Sequence, residues 1–104
     1  MFARDDTIVA VATPPGRGGL GVVRLSGPDA LSIAGGLLDR EAPLRPRHAT
    51  LARAVDRSAA AAVAIDEVIA VWFPQPRSYT GEDIVEVSAH GSPVLLNRIV
   101  ALAC

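Results

Sequence analysis

The chain has 104 residues, ten Arg and no Lys, a net charge of −1 and 50% hydrophobic residues. That length allows one domain with one modest core. The missing lysine excludes a P-loop nucleotide site, and the near-neutral charge argues against strong non-specific nucleic-acid binding by the segment as a whole.

Residues 7–13, Thr-Ile-Val-Ala-Val-Ala-Thr, are short, apolar and β-branched, the pattern of a strand. A literal G-x-G-x-x-G follows at Gly16, Gly18 and Gly21. A dinucleotide fingerprint needs a helix opening from those glycines. Here Val22-Val23-Arg24-Leu25-Ser26 alternates and ends at Gly27-Pro28, so residues 20–26 read as a second strand and the glycines as the turn between the two. Ser26-Gly27-Pro28-Asp29 predicts a helix start with Ser26 as cap, running to about Leu38. Leu31, Ala34 and Leu38 give its apolar stripe. Gly35-Gly36 weakens it by about 1 kcal/mol per glycine, so packing must hold it, and close approach of another backbone would explain the pair.

Residues 39–47 hold Pro43 and Pro46 and read as a connection; Arg45 and Arg47 there are the nearest thing to a basic patch, with a solvated loop as the plain reading. Residues 48–55 suit a strand, and residues 56–62 a turn or a helical turn through the alanine run. Residues 65–73 form the strongest strand, nearly continuous in apolar residues and so expected to be buried on both faces. Residues 77–83 are a loop and 84–89 another strand. Ser92-Pro93 then opens a second helix, with Val94, Leu95, Ile99 and Leu102 on its apolar face. The order β-β-α-β-β-β-α predicts an α+β fold: a mixed β-sheet of about five strands with helices packed on it. The apolar periodicity is unfinished at Cys104, so the chain is expected to be a single domain, 1–104, truncated at its C-terminal end. Its one cysteine allows neither an internal disulfide nor a Cys/His zinc set. No signal peptide or membrane-length apolar run is visible.

Arg24 and Glu86 each interrupt an alternating strand, Arg24 sharing a face with Val22 and Ser26, Glu86 with Ile84 and Ser88. Two readings are open: a cross-strand ion pair, or a ligand site in which arginine offers a planar donor fork and the carboxylate accepts a guanidine-like edge such as the amino-pyrimidine side of a pterin. His90 lacks an evident nucleophile beside it. Glu82 and Asp83 are too few to ligate a metal alone. Arg17, in the glycine turn, is either solvated or an anion contact.

Taken together, Asp6-Thr7-Ile8-Val9-Ala10, Ala12-Thr13-Pro14-Pro15-Gly16-Arg17-Gly18-Gly19, Gly21-Val22-Val23-Arg24-Leu25-Ser26-Gly27, Trp72-Phe73-Pro74, Ser78-Tyr79-Thr80-Gly81-Glu82-Asp83, Glu86 and His90-Gly91 closely resemble the N-terminal domain of the bacterial tRNA-modification GTPases of the MnmE (TrmE) family. The resemblance covers almost the whole chain, only loosely over residues 39–62. The family's His-Gly-Gly is here His90-Gly91-Ser92.

The resemblance implies a fold like the tetrahydrofolate-binding, aminomethyltransferase-like domains of one-carbon enzymes. It implies that this domain binds a 5-formyl-tetrahydrofolate-type cofactor, with Glu86 bonding the pterin and Arg24 as an anchoring polar contact, and that it forms a homodimer. It also implies a longer, cytoplasmic protein with a helical domain and a potassium-stimulated GTPase domain, where GTP and magnesium bind. With an FAD-dependent partner, that protein modifies C5 of the wobble uridine of tRNA. No catalytic residue is expected in these 104 residues. The family's next motif, which adds a basic residue to the folate pocket, lies beyond them, and Cys104 does not match the family's C-terminal cysteine. The competing expectation is a pure assembly module without ligand.

Overall fold

A computed structural model describes residues 2–4, 7–12, 19–58, 61–78 and 80–104. Eight elements follow in order: β1 (Phe2–Arg4), β2 (Thr7–Val11), β3 (Leu20–Ser26), α1 (Ala30–Leu37), β4 (Thr50–Asp56), β5 (Val63–Phe73), β6 (Ile84–His90) and α2 (Pro93–Ala103). They build an α+β fold, one sheet in the order β1-β2-β3-β6-β5-β4 with helices on one side. The expected sheet of about five strands is present, extended by the short β1 against β2, with one correction: every paired neighbour is antiparallel, so the sheet is not mixed. Three residues carry too little periodicity for β1 to be visible in sequence.

β3 starts at Leu20, so Gly21 lies inside a strand and no helix opens from the glycines. Gly16 and Gly18, with Arg17, lie outside the described residues. Gly21 has a packing role instead. A Cβ built there would overlap Cδ1 of Leu96 and press on its Cγ. The bare backbone lets α2 lie directly on β3.

Burial alternates along the central strands. In β3, Gly21, Val23 and Leu25 are buried while Leu20, Val22, Arg24 and Ser26 are not. In β6, Val85, Val87 and Ala89 are buried beneath the helices. Two-residue periodicity puts each set on one face, and the helices cover only that face. Ile33, Ala34 and Leu37 of α1 and Leu96, Ile99 and Val100 of α2 close the core over it. The buried cluster is aliphatic, in a chain with 4% aromatic residues.

β5 departs from expectation. Val68 and Ala70 are buried, but Ile69 is 42% exposed and Glu67 is exposed too. The apolar run is not buried on both faces because no described element lies over the second one. α1 also differs. Ser26 ends β3 rather than capping α1, and Gly27 at φ 141 turns the chain away. Asp29 takes the cap position without a side-chain bond. Its N–H donates instead to Oγ1 of the fully buried Thr7, at 2.9 Å. The α2 start is as predicted, with Ser92 as cap and Pro93 in the first turn.

Nothing lies within 4 Å of a Cβ built on Gly35 or Gly36, so no close backbone explains that pair. The end of α1 is held from outside: Arg57 Nε donates to the Gly36 carbonyl and its Nη2 to the Leu38 carbonyl, both at 3.0 Å. β4 and β5 form a hairpin around residues 57–62, of which 59 and 60 lie outside the described residues.

Candidate ligand-binding site

Arg24 and Glu86 are direct cross-strand partners in the β3–β6 register. Both lie on the uncovered face near the middle of the sheet. Arg24 Nε donates to Glu86 Oε2 at 2.9 Å and Nη2 to the same oxygen at 2.5 Å. The side chains are 38% and 19% exposed. Of the two sequence readings, the ion pair is present. A partly exposed pair of this kind contributes about 0–1 kcal/mol to stability, a small return for placing charges within two otherwise apolar strands.

The geometry leaves the pair chemically open. Both bonds from Arg24 fall on Glu86 Oε2. Around the pair Ala10 is opposite Arg24 on β2, Val71 is opposite Glu86 on β5, Val22 adjoins Arg24 on β3, and Ser26 and Ser88 lie two residues along from Arg24 and Glu86 on the same face. Ile8 is 42% exposed, Leu20 65% and Leu51 70%. A largely aliphatic sheet face with a carboxylate and a guanidinium at its centre can seat a planar heterocycle. The carboxylate would take the N–H donors of its edge and the guanidinium a carbonyl or anion.

Beyond the end of β3, Ser26 Oγ lies 3.0 Å from Thr80 Oγ1, and donates to Glu82 Oε2 at 3.5 Å. The sequence assigned Ser26 to a helix cap, and only its position two residues from Arg24 hinted at the open face. Asp83 serves the adjoining loop: Oδ1 accepts from Trp72 Nε1 at 3.4 Å and from Gln75 N at 3.0 Å. Among the described residues no three His, Cys, Asp or Glu side chains converge. Tyr79 lies outside the described residues.

His90 ends β6 in a pair that sequence reasoning missed. Its Nδ1 lies 2.8 Å from the Asp66 carboxylate, and its backbone N–H donates to Asp66 Oδ2 at 3.1 Å. The side chain of Asp66 thus continues the β5–β6 ladder past Ile69, where backbone pairing stops. Burial pushes the Asp66 carboxyl up, but bonds from the His90 ring and N–H, the His90 charge and the Glu67 N–H outweigh it and hold the group below its ordinary value. Asp56 is also held below its ordinary value, chiefly by the Ser58 hydroxyl and N–H, with Arg98 adding to them against a smaller effect of burial.

Among the described residues no helix is long and apolar enough to cross a membrane. The family model for the GTP-binding protein TrmE N-terminus matches residues 7–104. The chain is 53% identical over 102 residues to a tRNA modification GTPase MnmE of Koribacter versatilis (strain Ellin345), covering 95% of this chain and 22% of the relative. It is 54% identical over 101 residues to that of Xanthomonas campestris pv. campestris (strain B100), covering 97% and 22%. The relative from Francisella philomiragia subsp. philomiragia is 52% identical over 100 residues, covering 96% and 21%. The chain therefore spans about a fifth of the length of these relatives. With the family model matched over nearly every residue and half the positions identical to these relatives, the chain belongs to the family of TrmE (MnmE) N-terminal domains.

Proposed function

We propose that this domain binds a reduced folate of the 5-formyl-tetrahydrofolate type on the open face of its sheet. The observation that supports this most is the Arg24–Glu86 pair, set in exact register on an uncovered, largely aliphatic surface. Glu86 accepts the amino and ring N–H groups of the pterin. Arg24 orients the carboxylate and anchors a polar group of the ligand. The apolar neighbours Val22 and Val71 exclude water from one side of the ring. When bound, the folate supplies a one-carbon unit; these residues bind and orient it and carry no covalent step.

In this reading the domain also pairs two copies of the protein. The whole protein is a cytoplasmic GTPase whose nucleotide, magnesium and potassium sites lie outside these residues. Together with an FAD-dependent partner it modifies C5 of the wobble uridine of tRNA. A pure assembly module is the second reading, and the exposed Leu20 and Leu51 favour it.

Titrating 5-formyl-tetrahydrofolate into the chain by calorimetry separates the two. Removing a charge-assisted hydrogen bond costs about 1.5–3 kcal/mol, so Glu86→Gln should weaken binding by about 10- to 150-fold. Arg24→Ala should weaken it as well. Sedimentation velocity should show both variants associating as the wild type does. A wild-type chain that associates but takes up no folate would leave the assembly reading.

A further inference from the structure

The connection between α1 and β4 holds a cluster that the folate reading leaves unused. Arg47 adopts φ 56, the left-handed region that side chains disfavour, and is the only non-glycine residue to do so among those described. Its backbone N–H donates to the Trp72 carbonyl at 2.8 Å, and Pro46 bridges Trp72. Arg47 Nη2 donates to the carbonyl of Arg77, 30 residues downstream. The His48 N–H donates to the Arg45 carbonyl at 3.3 Å, folding Arg45 back beside them. These contacts gather Arg45, Arg47 and Arg77 on one corner, all three exposed.

None of the three forms an ion pair with an acid among the described residues. The ion pairs of the described residues use Arg24, His90 and Arg98. Arg40 and Arg57 spend their guanidinium groups on carbonyls. In the neighbouring loop Asp83 accepts from Trp72 and Gln75, and Glu82 from Ser26, all of them neutral donors. A chain of net charge −1 has thus assembled three of its ten arginines from two distant segments. A strained backbone position, over-determined by its surroundings, marks a place where the structure holds a group deliberately.

We propose that Arg45, Arg47 and Arg77 form a phosphate-binding corner that contacts the backbone of an RNA. The choice of RNA as the polyanion rests on the proposed tRNA role, while none of the three residues belongs to the folate site. Guanidinium groups meet phosphate oxygens with paired N–H donors. The bond from Arg47 Nη2 to Arg77 fixes the Arg47 fork before any ligand arrives, so less freedom is lost on binding. Contacts of this class set position and carry no base preference.

The test is fluorescence anisotropy of a labelled, unmodified tRNA transcript titrated with the chain at several salt concentrations. Each phosphate contact contributes a log–log salt slope of about 0.9, so wild-type affinity should fall about 40-fold between 50 and 200 mM salt. Arg45→Gln with Arg77→Gln spares the backbone bonds of the corner and should reduce that fall to about 4-fold. Arg53→Gln with Arg98→Gln removes the same charge elsewhere and should behave as wild type. The proposal is overturned if the wild type does not bind the transcript, if the Arg45/Arg77 variant keeps the full salt slope, or if both double variants lose it equally. Folate titration of the same proteins reads the other site separately: folate bound without RNA refutes the corner alone, and RNA bound without folate refutes the folate reading alone.

Discussion

Gly21→Ala tests the packing of α2 on the sheet, because two effects of opposite sign compete there. Replacing glycine stiffens the unfolded chain and stabilises a compatible site by about 0.4–1 kcal/mol. Gly21 is not at positive φ, so the backbone itself would accept alanine. The new Cβ, however, overlaps Leu96 Cδ1 and stands 3.2 Å from its Cγ. Leu96 is only 5% exposed and sits in the core cluster, so it cannot swing into solvent. Overpacking of this kind costs about 1–3 kcal/mol. Overpacking wins, with a net destabilisation of about 0–2.5 kcal/mol. For a domain of this size a loss of about 1.5 kcal/mol lowers Tm by about 6–12 °C. Urea melts of Gly21→Ala, Leu96→Ala and the double variant would measure it. Leu96→Ala alone should cost about 2–5 kcal/mol, and the double variant should cost less than the sum of the singles. Additive costs, or a more stable Gly21→Ala, would refute the claim that Leu96 is what Gly21 makes room for.

Thr7→Val keeps the buried shape but removes the acceptor of the Asp29 N–H, which has no intrahelical partner, so stability should fall by about 1–3 kcal/mol in a denaturant melt. Asp66 gives a pH dependence. Its folded pKa lies below the ordinary 3.8, so its contribution is fully present above that value and is lost as pH falls through the lower folded value. Asp66→Asn should flatten the acid limb of a stability profile below about pH 4; an unchanged acid limb would show that the pair with His90 adds nothing.

Local patterning made most of the architecture legible. The alternation in Val22–Ser26 located β3 and disqualified the glycine motif as a nucleotide loop, and Ser92-Pro93 placed the start of α2. The same alternation put Arg24 and Glu86 on interior strand positions, but their exact facing depends on the β3–β6 register, which is a long-range fact. The misjudgements share that cause. Val68 to Phe73 has the composition of a doubly buried strand, and only the tertiary arrangement decides which face goes uncovered. Ser26 suits a cap, yet β3 extends through it because Ile84 and Ile8 pair with it there. Asp66 as a substitute for backbone pairing, and Arg77 beside Arg47, join residues too distant for any local signal.

The end of α1 has a consequence for how the domain opens. The helix has eight residues, two adjacent glycines and no side-chain cap at its start. Such a segment is not helical by itself. Its last carbonyls are taken by Arg57 from the far end of β4, Leu38 bridges Ala54, and the Asp39 N–H donates to the Arg53 carbonyl. β4 is an outer strand, paired along β5 only. A fluctuation that lifts β4 from the sheet therefore also frays α1, so helix and edge strand exchange their amide hydrogens as one cooperative unit.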